Sequence, residues 1–222
     1  MSVGGGSSEV EHHPAEGGAR VLRVQNLTRP RGDQFGVDLI DVEFEVKAGE
    51  VVGIAGVSGN GQKELLYALS GEDTRADAGT IIVKGQGAGK MSPARRRRLG
   101  LHFVPEERLG RGAVPSMGLA HNLLLTRKDA LGKGSWIRMS QLQVQAKDII
   151  ARFNVKAGGP ASPAQSLSGG NLQKFIVGRE IDAKPRLLII SQPTWGVDVG
   201  AAAQIRGAIL KLRDEGCAVL VL

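Results

Sequence analysis

Leu167-Ser168-Gly169-Gly170-Asn171 places a serine and two glycines at the start of a segment that is predicted to continue as a helix to about Ala183. The Ser168 hydroxyl can donate a hydrogen bond, and the two glycines let their backbone N–H groups approach a ligand closely. Because the helix follows at once, its positive dipole end points at the same place. The pattern therefore predicts a site that contacts a phosphate group.

A second glycine-rich pattern lies upstream, at Gly56-Val57-Ser58-Gly59-Asn60-Gly61-Gln62-Lys63-Glu64. The apolar run from Val51 to Ala55 precedes it and predicts a buried strand, and a helix is predicted from about Gln62 to Ser70. Strand, glycine-rich turn and helix in this order are the context of a phosphate-binding P-loop. The candidate nucleotide-binding residues are Gly56, Ser58, Gly59, Asn60, Gly61, Gln62, Lys63 and Glu64, together with Ser168, Gly169 and Gly170.

This P-loop pattern lacks two chemical groups. Gln62 replaces the lysine that neutralises the β- and γ-phosphates, and Lys63 replaces the hydroxyl residue that binds Mg²⁺. Lys63 lies one residue after the position of the P-loop lysine, and one residue corresponds to a rotation of about 100° around the helix. Its side chain could still fold back toward the loop. The glycines and the helix N-terminus still offer an anion site. A glycine-rich turn that binds no nucleotide is the alternative.

The apolar segment from Arg186 to Ile190 predicts a buried strand, and Ser191-Gln192-Pro193-Thr194 follows it. In a Walker B motif this strand ends in an Asp that organises Mg²⁺ and a Glu that acts as the general base. Ser191 has no charge for a metal, and Gln192 can orient a water molecule but cannot accept its proton. Since losing a general base costs about 10²- to 10⁴-fold in rate, we expect slow or absent hydrolysis and no protein-held metal here.

With these motifs the chain resembles the second nucleotide-binding domain of the double-domain ATPases of bacterial simple-sugar and nucleoside ABC importers, over about Val21 to Leu222. The resemblance is carried by GVSGNGQKE (Gly56–Glu64), VPEER (Val104–Arg108), LSGGNLQK (Leu167–Lys174) and SQPTWGVDVGA (Ser191–Ala201). It implies that LSGGN is an intact ABC signature. It also implies three candidate catalytic positions: Gln192 at the catalytic glutamate, Glu106 in the Q-loop and Asp198 in the D-loop. Glutamines at both Gln62 and Gln192 are similar to the nucleoside-importer branch.

Strands that alternate with helices predict an α/β fold with a largely parallel sheet. The resemblance refines this to an ABC-type P-loop NTPase with a β subdomain and a helical subdomain at about residues 106–165. Residues 1–19, rich in Gly, Ser and Glu, predict a disordered tail or linker, and residues 20–222 the nucleotide-binding domain. The chain is expected to be incomplete at its C-terminus, because it stops before the family's switch segment.

The resemblance also implies ligands and partners. In this family two nucleotide-binding domains meet head to tail, and each ATP lies between one domain's P-loop and the other's signature. We expect ATP as the ligand, with Mg²⁺ mainly at the site of a partner domain whose P-loop is intact. Transmembrane permease subunits are the expected partners, in contact with Val104 to Asn122, and a substrate-binding protein acts indirectly. The expected location is peripheral, at the cytoplasmic face of the membrane.

The composition leaves two rival functions open. A formal charge of +7 and the run Arg95–Arg98 allow a soluble ABC-type ATPase that acts on the ribosome or nucleic acid. However, a short basic run on a helix is usually a solvated face, and only 4% of the residues are aromatic, so no nucleic acid is expected. The second rival is a structural pseudo-ATPase that binds no nucleotide. Phe35 is a candidate for stacking on adenine, with a core or loop role as its alternative.

Overall fold

The computed structural model describes residues 18–32, 34–57, 59–127 and 137–222. Ser58 and residues 1–17 of the predicted tail lie outside the described residues, so the predictions made for them stay predictions. In chain order the elements are β1 (Arg20–Arg29), β2 (Leu39–Lys47), β3 (Val51–Gly53), α1 (Gln62–Ser70), β4 (Ile81–Val83), β5 (Gln86–Gly87), α2 (Pro93–Arg98), β6 (Leu101–Val104), α3 (Leu119–Asn122), α4 (Met139–Arg152), α5 (Gly169–Asp182), β7 (Leu187–Ile190), α6 (Val199–Asp214) and β8 (Ala218–Val221).

The described residues form two four-stranded sheets. One is antiparallel in the order β2-β1-β4-β5, and the other is parallel in the order β3-β8-β7-β6. The antiparallel sheet is the predicted β subdomain, and the parallel sheet is the predicted core of the P-loop fold. The predicted fold class is therefore confirmed.

Strand β7 separates the two hydrophobic cores. Its side chains alternate, so that Leu187 and Ile189 pack with β1, β2 and α1, while Leu188 and Ile190 pack with α4, α5 and α6. All four side chains are fully buried. A strand that is buried on both faces needs an unbroken apolar run, which explains why its sequence shows no polar alternation.

Strand β3 differs from its prediction. The run from Val51 to Ala55 was expected to form a buried strand, but β3 ends at Gly53 and Val51 is 37% exposed. Among the described strands β3 pairs only with β8, so it forms an edge of the sheet. An edge strand leaves part of its surface to solvent, whereas apolar content alone predicts a central position.

The basic run Arg95–Arg98 also differs from its prediction as a solvated face. Pro93 begins α2 as expected, but Arg96 is completely buried. Its guanidinium donates to the carbonyl oxygens of Ala68 and Leu69, at the end of α1, and also to Gly89 O and Met91 O. Because the last carbonyls of a helix lack partners within the helix, a buried arginine can satisfy them.

Candidate functional site

A cleft with a volume of about 810 Å³ holds most of the residues assigned to nucleotide chemistry. Its walls come from the P-loop, the first turn of α1 and the segments that follow β6 and β7. The predicted site residues that line it are Gly56, Gly59, Gly61, Gln62, Lys63, Glu64, Glu106, Ser191 and Gln192. The structure thus brings together residues that are up to about 136 positions apart in the sequence.

The topology of the parallel sheet explains this convergence. Strands β3, β6 and β7 run parallel in one sheet, so their carboxyl ends lie at the same edge. The P-loop follows β3, Glu106 follows β6, and Ser191 follows β7. In open α/β sheets this edge is where ligands bind.

The two altered P-loop positions point in different directions. Gln62 folds back over the loop, where its side chain bonds to the loop's backbone. Lys63 is exposed, and its Nζ lies 5.6 Å from the centre of the Tyr67 ring, one helical turn away. The side chain of Lys63 therefore does not fold back into the loop, and the loop has no lysine where a phosphate would need one.

The residues after β7 offer no charge to a metal. Ser191 is 5% exposed and its backbone N–H donates to Val104 O at 3.0 Å. Gln192 is exposed and its N–H donates to Leu222 O at 2.7 Å. Within residues 18–32, 34–57, 59–127 and 137–222, no three His, Cys, Asp or Glu side chains come together as a metal site. Ser191 and Gln192 therefore offer no charged ligand to a Mg²⁺ ion.

Glu106 and its neighbour Glu107 also line the cleft. Glu106 is exposed, whereas Glu107 pairs with Arg111 at 2.6 Å. Burial raises the pKa of the Glu107 carboxyl, but hydrogen bonds from its own backbone and from Arg111 outweigh burial and lower that pKa. Arg111 also pairs with Glu72 and lies 4.7 Å from the centre of the Tyr67 ring.

Sequence reasoning missed Arg111. It ties the segment after β6, which contains the predicted Q-loop residue Glu106, to α1, because it binds Glu107 on one side and Glu72 and Tyr67 on the other. The only sequence signal was the spacing of four residues between Glu107 and Arg111, which suits an ion pair on a helix. The segment between them is not a helix, so that signal alone could not have placed Arg111 in the cleft.

The signature residues lie apart from this cleft. Ser168 is the N-cap of α5, and Gly169 and Gly170 are its first two residues. None of the three lines the cleft around the P-loop. Ser168 and Gly169 are exposed, and the Ser168 hydroxyl accepts a hydrogen bond from Asn171 Nδ2 at 2.9 Å. The two phosphate-binding patterns of this chain therefore do not share one site within the chain.

Arg108 connects the signature to Trp195, three residues before the predicted D-loop residue Asp198. Its Nε donates to Gln173 Oε1 at 3.1 Å on α5, and its Nη2 donates to Trp195 O. Gln173 in turn donates to Pro193 O at 3.3 Å. Sequence reasoning used Arg108 only as the last residue of VPEER and missed this role, for which the sequence contains no signal.

The remaining predicted residues have defined positions. Asp198 is the N-cap of α6, where its Oδ1 accepts the Ala201 N–H at 2.8 Å, and this hydrogen bond is the main cause of the lowered pKa of its carboxyl. Phe35 lines the cleft and is 88% exposed, which excludes the core role considered for it. Asp73, which also lines the cleft, pairs with Arg29 and Arg75.

Comparisons with known proteins agree with this geometry. A family model described as ABC transporter matches residues 39–195. The chain is 37% identical over 219 residues to the guanosine import ATP-binding protein NupO of Bacillus subtilis, covering 97% of this chain and 42% of that protein. It is 40% identical over 206 residues to the nucleoside import ATP-binding protein NupA of Lactococcus lactis, covering 91% and 40%. The chain thus spans about two fifths of the length of the curated relatives it matches.

Solved structures show the same fold. A nucleotide-free ATP-binding cassette from an ABC transporter superposes with a TM-score of 0.72 at 24% identity, covering 91% of this chain and 80% of that chain. A dimeric ATP-binding cassette bound to ADP and Pi, in a post-hydrolysis state, superposes with a TM-score of 0.73 at 20% identity, covering 90% and 86%. None of the described helices has the length and apolar character needed to cross a membrane.

Proposed function

Since the chain belongs to the ABC transporter family, close to the ATP-binding proteins of nucleoside and sugar import, we propose that it is an ATP-binding component of an importer for nucleosides or simple sugars. Within that importer it supplies its signature to the ATP site of a partner domain. Its own cleft is a degenerate ATP site. The glutamines at Gln62 and Gln192 favour a nucleoside importer over a sugar importer.

One observation carries the proposed role in trans: the signature and the P-loop cleft occupy separate places in the chain. Ser168 and Gly169 are exposed at the N-terminus of α5, outside the cleft. Free N–H groups and a positive helix end are suited to a phosphate group that arrives from another molecule. An ATP molecule held by a partner's P-loop would supply that group.

The proposed degenerate character of the chain's own site is supported by the charges of the residues that line it. Gln62 and Ser191 carry no charge, and Lys63 points toward Tyr67. We propose that Mg²⁺ is held mainly by the partner domain, whose P-loop and Walker B motif would be intact. The chain would then correspond to the second nucleotide-binding domain of a double-domain ATPase, with residues 106–165 as its helical subdomain.

A groove of about 260 Å³ supports the proposed contact with a permease. It lies between α1, β6 and the segment that leads to α3. Phe103, Arg111 and Val114 line it, and Leu109 and Met117, in the same segment, are 44% and 43% exposed. Docking there would hold the chain at the cytoplasmic face of the membrane. A substrate-binding protein would act through the permease and would not touch this chain.

The structure bears differently on the two rival functions. A role on nucleic acid loses its main support, because Arg96 is buried and Arg97 pairs with Glu180 at 3.0 Å. A pseudo-ATPase whose own cleft binds no nucleotide gains one supporting observation, since Gln62 already bonds to the P-loop backbone. This second candidate and the role in trans are compatible, because they concern different sites.

ATP turnover tests the proposal. It is measured for this chain alone, for a partner domain with an intact P-loop and Walker B, and for the two mixed. Gly170→Asp places a negative charge where the partner's phosphate would bind, and a Cβ at Gly170 would make only an ordinary contact of 3.8 Å with Val197. Gly207→Asp, on the exposed side of α6 with no atom within 4 Å of its Cβ position, is the matched control.

We expect the chain alone to be inactive and the mixture to turn over ATP. Gly170→Asp should lower that turnover by about tenfold or more, because its carboxylate would repel the negative charge of the reacting phosphate. Gly207→Asp should leave it unchanged. Ordinary turnover by the chain alone would contradict the degenerate site, and a mixture that is indifferent to Gly170→Asp would contradict the role in trans.

A further inference from the structure

Gln62 closes the P-loop with its own side chain. Its Oε1 accepts a hydrogen bond from the Asn60 N–H at 3.1 Å, and its Nε2 donates to Val57 O at 3.0 Å. Both ends of the carboxamide are therefore bonded to the backbone of the loop that should cradle phosphate.

The same carboxamide also fills the space inside the loop. A Cβ placed on Gly56 would collide with Gln62 Nε2, so the amide lies directly against the backbone at the first glycine of the loop. Gly56, Gly59, Gly61 and Gln62 all line the cleft, which means that the amide occupies part of the cleft's wall. Glycine at position 56 is compatible with this arrangement because it has no side chain.

This arrangement competes with phosphate. In a P-loop the backbone N–H groups bind the phosphates of a nucleotide, and a lysine neutralises their charge. Here the Asn60 N–H already has an acceptor in Gln62, besides a weaker contact of 3.3 Å to Val57 O. A phosphate that enters the loop must displace the amide, and Lys63, whose Nζ lies near the Tyr67 ring, does not reach into the loop to neutralise its charge.

We infer that Gln62 is a specificity-determining residue of this cleft: it occupies the phosphate cradle and lowers the affinity for nucleoside di- and triphosphates, while a nucleoside can bind with Gln62 in place. The inference rests on the proposed nucleotide site of the same cleft. It assigns to Gln62 an active role in excluding phosphate, beyond the loss of a lysine. A cleft of about 810 Å³ leaves room for a nucleoside beside the closed loop.

The test measures the binding of ADP and of adenosine to this chain by calorimetry, in EDTA so that no metal contributes. Wild type is compared with Gln62→Ala, which removes the amide and adds no charge. Gln204→Ala is the matched control, because Gln204 also donates to a backbone carbonyl, Arg152 O at 3.3 Å, but lies on α6 outside the cleft. Circular dichroism and thermal unfolding show that each variant is folded.

We expect Gln62→Ala to bind ADP about fivefold to tenfold more tightly than wild type, because two ordinary hydrogen bonds no longer have to be broken. Adenosine affinity should be unchanged in both variants. In wild type, the Gln62 carboxamide resonances in an NMR spectrum should shift on addition of ADP and stay in place on addition of adenosine.

An ADP affinity that falls or stays the same in Gln62→Ala would overturn the inference, since Gln62 would then contact the phosphate or play no part. A variant that binds neither ligand would overturn it as well, because an opened loop should accept ADP. Neither result would affect the role of the signature in trans, which is read from turnover at the partner's site with Gly170→Asp. The two proposals therefore fail separately.

Discussion

Arg108 occupies the space that a side chain on Gly169 would need: its Nη1 lies 2.6 Å from the position of a Cβ on that glycine. The contact joins the Q-loop segment to the first turn of the signature helix. Through its hydrogen bond to Trp195 O, Arg108 extends the connection to the segment before the predicted D-loop residue Asp198. Three of the chain's motifs thus meet at one guanidinium.

This contact predicts a result for Gly169→Ala that depends on Arg108. In the wild-type background the new Cβ displaces Arg108 from Gln173 and Trp195, at a cost of about 1 kcal/mol in the free energy of unfolding. In an Arg108→Ala background the same substitution should be neutral or stabilising, because Ala is favoured over Gly in a helix. Urea unfolding of the four proteins gives the coupling. If Gly169→Ala lowered the free energy of unfolding equally in both backgrounds, Arg108 would not crowd a Cβ at position 169.

Arg96 and Arg95 are adjacent in sequence, but substitution of Arg96 should destabilise the protein far more than substitution of Arg95. Arg96→Met removes the donor for four backbone carbonyls, two of them at the end of α1, and we expect a loss of about 3 kcal/mol in the free energy of unfolding. Burial lowers the pKa of the Arg96 guanidinium to about 10, which still leaves it charged at neutral pH. Arg95→Met, at an exposed position, should change stability by less than about 0.5 kcal/mol. Urea unfolding compares them, and similar losses would show that Arg96 is not a structural donor.

The same pair shows where the sequence stops being informative. The helix starts after Ser168 and at Gln62 were predicted correctly, because glycine-rich turns that lead into a helix depend on neighbouring residues. The role of Arg96 depends on backbone carbonyls of α1 that are 27 and 28 positions away. Every residue has a backbone carbonyl, so the sequence does not show which of them will accept a hydrogen bond from Arg96. For the same reason the exposure of Val51 was missed, since a strand's neighbours in a sheet cannot be read from the strand itself.

The candidate site divides in the same way. Residues that follow parallel strands could be assigned to one cleft, because the topology of the fold brings strand ends together. The separation of Ser168 from that cleft was expected only through the family resemblance. What the side chains of Gln62 and Arg108 contact depends on rotamers and on nearby backbone groups, and only the structure supplies those.

Glu180 should make the stability of the protein depend on acid pH. Its carboxyl is fully buried; burial raises its pKa, but Arg179, His102 and Arg97 outweigh burial and lower that pKa to about 2. Because the pKa is lower in the folded state than in the unfolded state, the carboxylate stabilises the fold above the unfolded pKa of 4.5. That contribution, on the order of 3 kcal/mol, is lost as the pH falls from there to about 2.

The free energy of unfolding of wild type and Glu180→Gln, measured between pH 7 and pH 3, checks this prediction. The difference between the two proteins should be largest at neutral pH and should shrink as the pH falls. Glu215→Gln, at an exposed position, is the control, and its free energy of unfolding should change with pH in the same way as that of wild type. A difference between wild type and Glu180→Gln that is constant with pH would mean that Glu180 does not ionise differently in the folded protein.

Removal of Mg²⁺ should leave nucleotide binding at this chain's own cleft unchanged. Ser191 has no charge, Lys63 takes the position of a hydroxyl ligand, and no metal cluster is found among the residues that the structure describes. ADP affinity in EDTA and in excess Mg²⁺ should therefore agree within about twofold, whereas a P-loop with its hydroxyl and a Walker B aspartate gains from the metal. The double variant Lys63→Thr with Ser191→Asp restores those two ligands and should make ADP binding depend on Mg²⁺. A wild-type chain that already binds ADP more tightly with Mg²⁺ would show that the cleft holds the metal through other oxygen ligands, such as Glu64 or Glu106.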